Sequence, residues 1–206
     1  MARYTGPKGK IVRRFGANIY GNPKFDRLLA KKPNPPGVHG ATAARRKVSE
    51  YGVQLIEKQK IKFCYGVLEK QFRVTFNRAA RKTGMTGNNL LILLETRLDN
   101  VVYRAGWGGT RDQARQLVNH GHVKINGRRT DIPSYTVREG DEITVKESSK
   151  SSVLIQRMME ENSSRPSTEW LTVNTDGSSI KVDRLPLREE IQSPGNEQLV
   201  VELFSK

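Results

Sequence analysis

The spacing of apolar residues changes from one stretch of the chain to the next, and those changes divide it into elements. Residues 1–44 show no sustained period: Ile11, Phe15, Ile19, Tyr20 and Phe25 are scattered among Gly, Pro, Lys and Arg. The run Lys-Lys-Pro-Asn-Pro-Pro-Gly over 31–37 excludes a helix or central strand there, because proline fixes φ and removes a donor. A solvated tail and an extended arm that orders on a partner are the alternatives, and the aromatic residues among the cations favour the arm. Residues 49–83 carry helical spacing. Ser49 suits an N-cap, Glu50 complements the first-turn dipole, and Val53, Ile56, Gln59 and Phe63 lie near one face. Gly66 interrupts the pattern, Val67, Phe72 and Phe76 resume it, and Gly84 follows Arg81-Lys82-Thr83 as a C-cap. A helical hairpin or one bent helix satisfies this run. Thr86 opens a further helix to about Arg104, with a broad stripe of Leu90, Leu91, Leu93, Leu94, Leu98, Val101 and Val102.

The period then alternates between helix and strand. Thr110 with Gln113 reads as a capping box opening a short helix, with Ala114, Leu117 and Val118 facing inward and Gly121 ending it. Residues 122–125 have period two, Asn126-Gly127 is a two-residue hairpin turn, and 128–130 begin the return strand. A connection over 132–135 and a turn at Gly140-Asp141 lead to a last strand, 142–145. Residues 147–166 read as a polar linker with a short helix near 153–159. The tail carries strand-like pieces at 171–173 and 199–203 and is too short for a domain of its own.

Charge sharpens this outline. The 206 residues carry a net charge of +15, distributed as +10 over 1–50, +6 over 51–110, +2 over 111–150 and −3 over 151–206. A basic first half calls for an anionic partner: nucleic acid, a membrane surface or an acidic protein. The single cysteine, Cys64, excludes a disulfide framework and a cysteine-based zinc site. No leader-like or membrane-spanning run is apparent, so a reducing cytoplasm is the expected compartment. The cations lie in Pro/Gly loops rather than on one amphipathic face, which argues against a membrane surface.

The chemistry concentrates between 97 and 145. Arg111 and Arg115 are four apart and share a helix face, with Gln116 and Asn119 beside it. The helix N-terminus favours a phosphate, and the preceding Gly106-Trp107-Gly108-Gly109 permits close backbone approach. Val123 and Ile125 are expected inside, with His122 and Lys124 on the outward face. Such a surface suits a folded RNA backbone, read by shape and phosphate. An ordinary helix with solvated arginines would show the same charges.

The motif pattern goes further. Residues 97–104 (Arg-Leu-Asp-Asn-Val-Val-Tyr-Arg), Thr110-Arg111, 114–118 (Ala-Arg-Gln-Leu-Val) and 120–127 (His-Gly-His-Val-Lys-Ile-Asn-Gly) resemble the RNA-binding module named after small-subunit ribosomal protein four. That module also occurs in RNA-modifying enzymes. The remaining runs resemble bacterial members of the ribosomal family itself: 1–8, 36–40, 51–55, 57–60, 65–72 and 201–206. The resemblance implies a structural, non-enzymatic constituent of the small subunit. It implies primary binding of the five-prime domain of small-subunit rRNA, nucleation of assembly, and a place near the mRNA entrance. It also implies contact with the fifth and third small-subunit proteins and an influence on decoding accuracy. Arg45, Arg46 and Lys47 occupy the position assigned to incoming mRNA. Some relatives bind zinc through cysteines in the arm; none is present here, and His39, His120 and His122 have no accompanying ligand set, so no metal or other cofactor is expected.

An RNA-modifying enzyme is the main rival. No Walker loop, G-x-S-x-G elbow or H-E-x-x-H pair is present, and the module leaves no room for a catalytic domain. A stand-alone RNA regulator would need only the module. The expected architecture is therefore α+β. A basic extended arm (1–44) precedes a helical domain (45–96), which residues 150–206 complete by packing back, with the small α/β RNA-binding module (97–149) inserted between. The rRNA-binding candidates are Lys8, Arg13, Arg14, Lys58, Lys60, Lys62, Arg73, Arg78, Arg111, Arg115, Gln116, Asn119, His120 and Lys124.

Overall fold

A computed structural model describes residues 4–43, 47–162, 168–174 and 177–205. The chain forms two compact units, residues 1–87 with 193–206, and residues 88–192.

Among the described residues every regular element of the first unit is a helix, including in the stretch expected to be extended. Helices α1 (Lys8–Phe15), α2 (Pro23–Lys31) and the single turn α3 (Gly40–Ala43) occupy it. Ile11 and Val12 are buried on α1, and Ile19 just beyond it, so residues that look scattered are anchors of short amphipathic helices. Gly16 ends α1 in the left-handed region, at φ 64°. Asn22 caps α2 by accepting from the Lys24 N–H, and Pro23 takes the first turn, where its missing donor costs nothing. The prolines at 33, 35 and 36 are confined to the connection between α2 and α3, as their chemistry requires.

Helices α4 (Glu50–Cys64) and α5 (Glu69–Ala80) are separate, joined through Gly66 at φ 63°. Ser49 caps α4 as expected, accepting from the Gly52 N–H. The buried face of α4 differs from the expected one: Gln54, Lys58, Ile61 and Cys64 turn inward, while Val53 is exposed. Helix α5 stops at Ala80, before Gly84. The C-terminal helix α11 (Glu197–Ser205) covers α4, and the 199–203 run is thus a helix and not a strand. Its Leu-Val-Val-Glu-Leu pattern suits either element, and Val200 is fully buried while Glu202 is exposed. Polar ties fix this pairing: Gln54 Nε2 donates to Glu202 Oε2 at 3.0 Å, and Glu57 Oε2 accepts from the Asn196 N–H at 2.9 Å.

The single helix expected over 86–104 is divided into α6 (Thr86–Glu95) and α7 (Leu98–Arg104). Thr96 and Arg97 are drawn out of helical geometry by Arg97 bridging to Thr136, and by the Leu98 N–H donating to the Tyr135 carbonyl. Helix α8 (Arg111–Asn119) follows; Thr110 caps it by accepting from the Gln113 N–H. Strands β1 (Val123–Ile125), β2 (Arg128–Arg129) and β3 (Glu142–Val145) form the expected hairpin and return strand. The short helix α9 (Glu147–Lys150) and α10 (Val153–Asn162) occupy the stretch read as linker. Strands β4 (Leu171–Val173) and β5 (Ser179–Val182) complete a five-stranded antiparallel sheet of order β2-β1-β3-β5-β4. The tail therefore divides: residues 193–206 join the helical unit, while β4 and β5 extend the sheet of the second unit instead of packing back. One core unites Leu98, Val101 and Val102 of α7, Leu117 and Val118 of α8, the inward residues of all strands but β2, and Trp107 and Trp170.

Candidate nucleic-acid interface

The second unit builds its polar surface on a buried ionic network at the start of α7. Asp99, 5% exposed, accepts from Arg97 Nε and NH2 at 3.0 and 2.7 Å and from Arg115 NH1 at 3.4 Å. Glu95, 1% exposed, accepts from Arg104 Nε and NH2 at 3.0 and 2.7 Å, and from the Asn100 amide. Burying carboxylates this deep is costly unless cations and N–H donors meet them.

The same network reaches the surface at Arg111. Asn100, holding Glu95 through its amide nitrogen, presents Oδ1 to Arg111 Nε at 2.9 Å. The Arg111 guanidinium lies over the Tyr103 ring, 4.5 Å from its centroid. A plane stacked on one side and bonded at one edge is preorganised, which lowers the entropic cost of meeting a phosphate. Arg115, expected beside Arg111, is instead 7% exposed and turned to Asp99. Four-residue spacing places two side chains on one helix face, but α7 packs against that face, and its acid captures the second arginine.

Gln116, Asn119 and His120 are exposed at the C-terminal half of α8. The His120 and His122 rings lie 6.1 Å apart, and His122 Nδ1 is 2.9 Å from Ser149 Oγ. Burial first, then the neighbouring His120 and Lys146 charges, push the His122 pKa below its ordinary value. In β1, Val123 and Ile125 are buried while Lys124 looks outward. Its partners in register are Arg129 on β2 and Thr144 on β3. The turn between β1 and β2 holds Asn126 at φ 48° and Gly127 at φ 77°, the primed geometry that Asn-Gly favours. The exposed Arg128 and Arg129 are legible in that turn: a two-residue loop places 129 opposite Lys124.

The first unit offers a second basic surface. A cleft of about 810 Å³ opens between α1 and α2, lined by Lys8, Lys24, Arg27 and Lys31 with Phe25 and Leu28, and by no carboxylate among the described residues. Lys8 Nζ sits 4.8 Å from the Tyr20 ring centroid, and Tyr20 and Phe25 are 5.4 Å apart. Lys24, Arg27 and Lys31 escape a reading that takes this stretch as extended; on a helix they fall on successive turns. Arg14 is exposed in the last turn of α1, whereas Arg13 is spent on structure, donating to the Asn34 and Pro35 carbonyls at 3.0 and 3.3 Å.

The cations of α4 are internally matched. Lys58 and Lys62 both bind Glu69, the latter at 3.0 Å, and Lys60 binds Glu57 at 2.6 Å. Burial raises the Glu69 pKa, but hydrogen bonds from Lys58 and Lys62 outweigh it and leave the carboxyl below its ordinary value. Arg73 and Arg78 are exposed on α5. Lys47 is exposed ahead of the Ser49 cap, and Arg45 and Arg46 lie outside the described residues. The His39, His120 and His122 side chains form no group with acids that could hold a metal ion among the described residues. No helix of the described residues is long and apolar enough to cross a membrane.

Comparison with known proteins settles the lineage. Residues 3–95 match the family model "Ribosomal protein S4/S9 N-terminal domain", and residues 96–143 match "S4 domain". This chain belongs to the uS4 ribosomal protein family. The small ribosomal subunit protein uS4 of Borrelia duttonii (strain Ly) is 52% identical over 207 residues, covering 100% of this chain and 99% of the relative. That of Roseiflexus castenholzii (strain DSM 13941 / HLO8) is 52% identical over 208 residues, covering both chains fully. The relative from Borreliella burgdorferi (strain ZS7) is 53% identical over 207 residues. The boundary between the two family matches, at 95/96, falls at the α6–α7 break, where the ionic network begins.

Proposed function

We propose that this protein is a structural, RNA-binding constituent of the small ribosomal subunit. In this reading it binds the five-prime domain of small-subunit rRNA as a primary assembly protein and acts without catalysis. The carrying observation is the preorganised Arg111, presented by Tyr103 and Asn100 within the part of the chain that matches the S4 domain. The cations Lys124 and Arg129 on the sheet, and Lys8, Lys24, Arg27 and Lys31 in the α1–α2 cleft, supply further phosphate contacts. Lys47, with Arg45 and Arg46, handles incoming mRNA, and the protein contacts the fifth and third small-subunit proteins and thereby influences decoding accuracy. Its place of work is the cytoplasm.

The test is a salt titration of the protein against a five-prime-domain rRNA fragment and a scrambled RNA of equal length. A preference for the fragment that persists as salt rises supports a shaped site. Equal affinities that collapse together would mean that a charge of +15 merely adheres to polyanions.

A further inference from the structure

A smaller cleft in the first unit has no part in the surfaces described so far. It lies between α5 and α11, has a volume of about 290 Å³, and is lined by Arg73, Phe76, Asn77, Leu203 and Phe204. Its floor is a terrace of rings: Phe76 and Phe204 are 4.5 Å apart at 33°, and Phe72 and Phe204 are 6.3 Å apart at 28°. Phe72 is fully buried and Phe76 nearly so, whereas Phe204 is only half-buried, so the terrace climbs from the core to solvent. Arg73 Cζ stands 6.0 Å from the Phe204 centroid, and Lys58 Nζ stands 5.8 Å from it. Lys70, Arg73 and Asn77 recur at three- and four-residue spacing on α5, Arg81 follows at its C-cap, and all are exposed. Glu69, the acid of the same helix turn, is engaged by Lys58 and Lys62 and does not cancel that stripe.

We infer that this cleft takes one unstacked nucleobase of the bound RNA. The base stacks against Phe204 or the Arg73 plane, Asn77 meets its hydrogen-bonding edge, and Lys70, Arg73 and Arg81 follow the flanking phosphates. An aromatic floor beside a row of cations is the arrangement by which proteins hold single-stranded nucleotides. The volume lies at the low end for ligand sites, which suits a single ring system. Asn77 offers both a donor and an acceptor, so an edge of either polarity can be met.

The inference rests on the RNA-binding reading, and its test separates the two. The full chain is bound to the five-prime-domain fragment, irradiated at short ultraviolet wavelength and digested for mass spectrometry. In parallel, affinities are measured for Phe204→Leu, which keeps apolar bulk but removes the ring face, and for Arg73→Ala. The expected result is a nucleotide adduct on the Arg73–Asn77 or Leu203–Phe204 peptide, and a roughly 5- to 100-fold weaker Phe204→Leu with an unchanged salt slope. Arg73→Ala should lower the slope by about one phosphate. Tight wild-type binding with no adduct there and an unaffected Phe204→Leu overturns the cleft and leaves the RNA reading intact. A wild type that cannot tell the fragment from scrambled RNA overturns both. The adduct is read on the unaltered chain, so a Phe204→Leu variant that fails to fold does not remove the test.

Discussion

Helix α4 of the first unit and helix α8 of the second carry similar cationic patterns, yet the fold uses them differently. On α4, Lys58, Lys60 and Lys62 are all bound to Glu57 or Glu69, with side chains 7%, 20% and 13% exposed. On α8, one arginine is drawn to Asp99 and the other is laid on Tyr103 at the surface. The difference lies in the acids within reach. Where a carboxylate is within reach, on the same helix (Glu57) or on the next one (Glu69), burial recruits the lysine as its counter-ion. Where an amide and a phenol orient it, the arginine is laid flat at the surface of the second unit. Basic residues in an RNA-binding protein therefore divide into those that hold the protein together and those that are presented.

The strongest way to break this comparison is to remove the acid. Asp99→Ala leaves Arg97 and Arg115 buried without their carboxylate and should destabilise the second unit by about 3–5 kcal/mol, measured by chemical denaturation. Lys58→Met, matched in shape, should alter stability modestly and leave the RNA salt slope unchanged, because Lys58 already spends its charge on Glu69. A reduced slope would show that the lysine leaves Glu69 for phosphate.

A gentler probe is pH. Burial and the Lys146 and His120 charges lower the His122 pKa, so the free protein holds this ring neutral at pH 7. Folding favours the neutral ring; that contribution is complete above the ordinary pKa and is lost as pH falls through the folded one. A phosphate nearby reverses the balance and raises the pKa, so RNA binding should take up a proton and tighten between pH 7.5 and 6, by less than about tenfold per pH unit. His122→Gln should abolish that trend, and an unchanged trend would assign the proton elsewhere. The smallest effect concerns Glu190. The hydrogen bond from Arg184 outweighs desolvation and, with the Leu187 N–H, holds its pKa at about 2. Its contribution to stability is present above the ordinary carboxyl range and is lost as pH falls toward 2; Arg184→Ala should return the titration midpoint upward, read by NMR.

Much of the second unit was legible in the sequence because its signals are local. Thr110 caps α8, Asn126-Gly127 fixes the hairpin register, and the alternation of Val123 and Ile125 sets the sheet face. What escaped was set by distant partners. The break between α6 and α7 depends on Thr136 and Tyr135, nearly forty residues on. The inward turn of Arg115 depends on Asp99, and the burial of Lys58 on Glu69 and the α11 ring Phe204. The arm looks extended for another reason: α1 and α2 are only 8 and 9 residues long, too short for a period to emerge among prolines and glycines. The C-terminal Leu-Val-Val-Glu-Leu fits strand and helix alike, and packing against α4 decides between them.

Two single variants and one salt series decide whether Arg111 is presented while Arg115 is structural. Binding of the five-prime-domain rRNA fragment is measured for Arg111→Ala and Arg115→Ala from low to high salt, with thermal unfolding alongside. Arg111→Ala should flatten the slope of log K against log salt by about 0.7–0.9, one phosphate contact, and lower the unfolding temperature less than Arg115→Ala does. Arg115→Ala should lower the unfolding temperature and keep the wild-type slope at temperatures where it remains folded. The reverse assignment, a slope lost with Arg115 and kept without Arg111, would contradict the account.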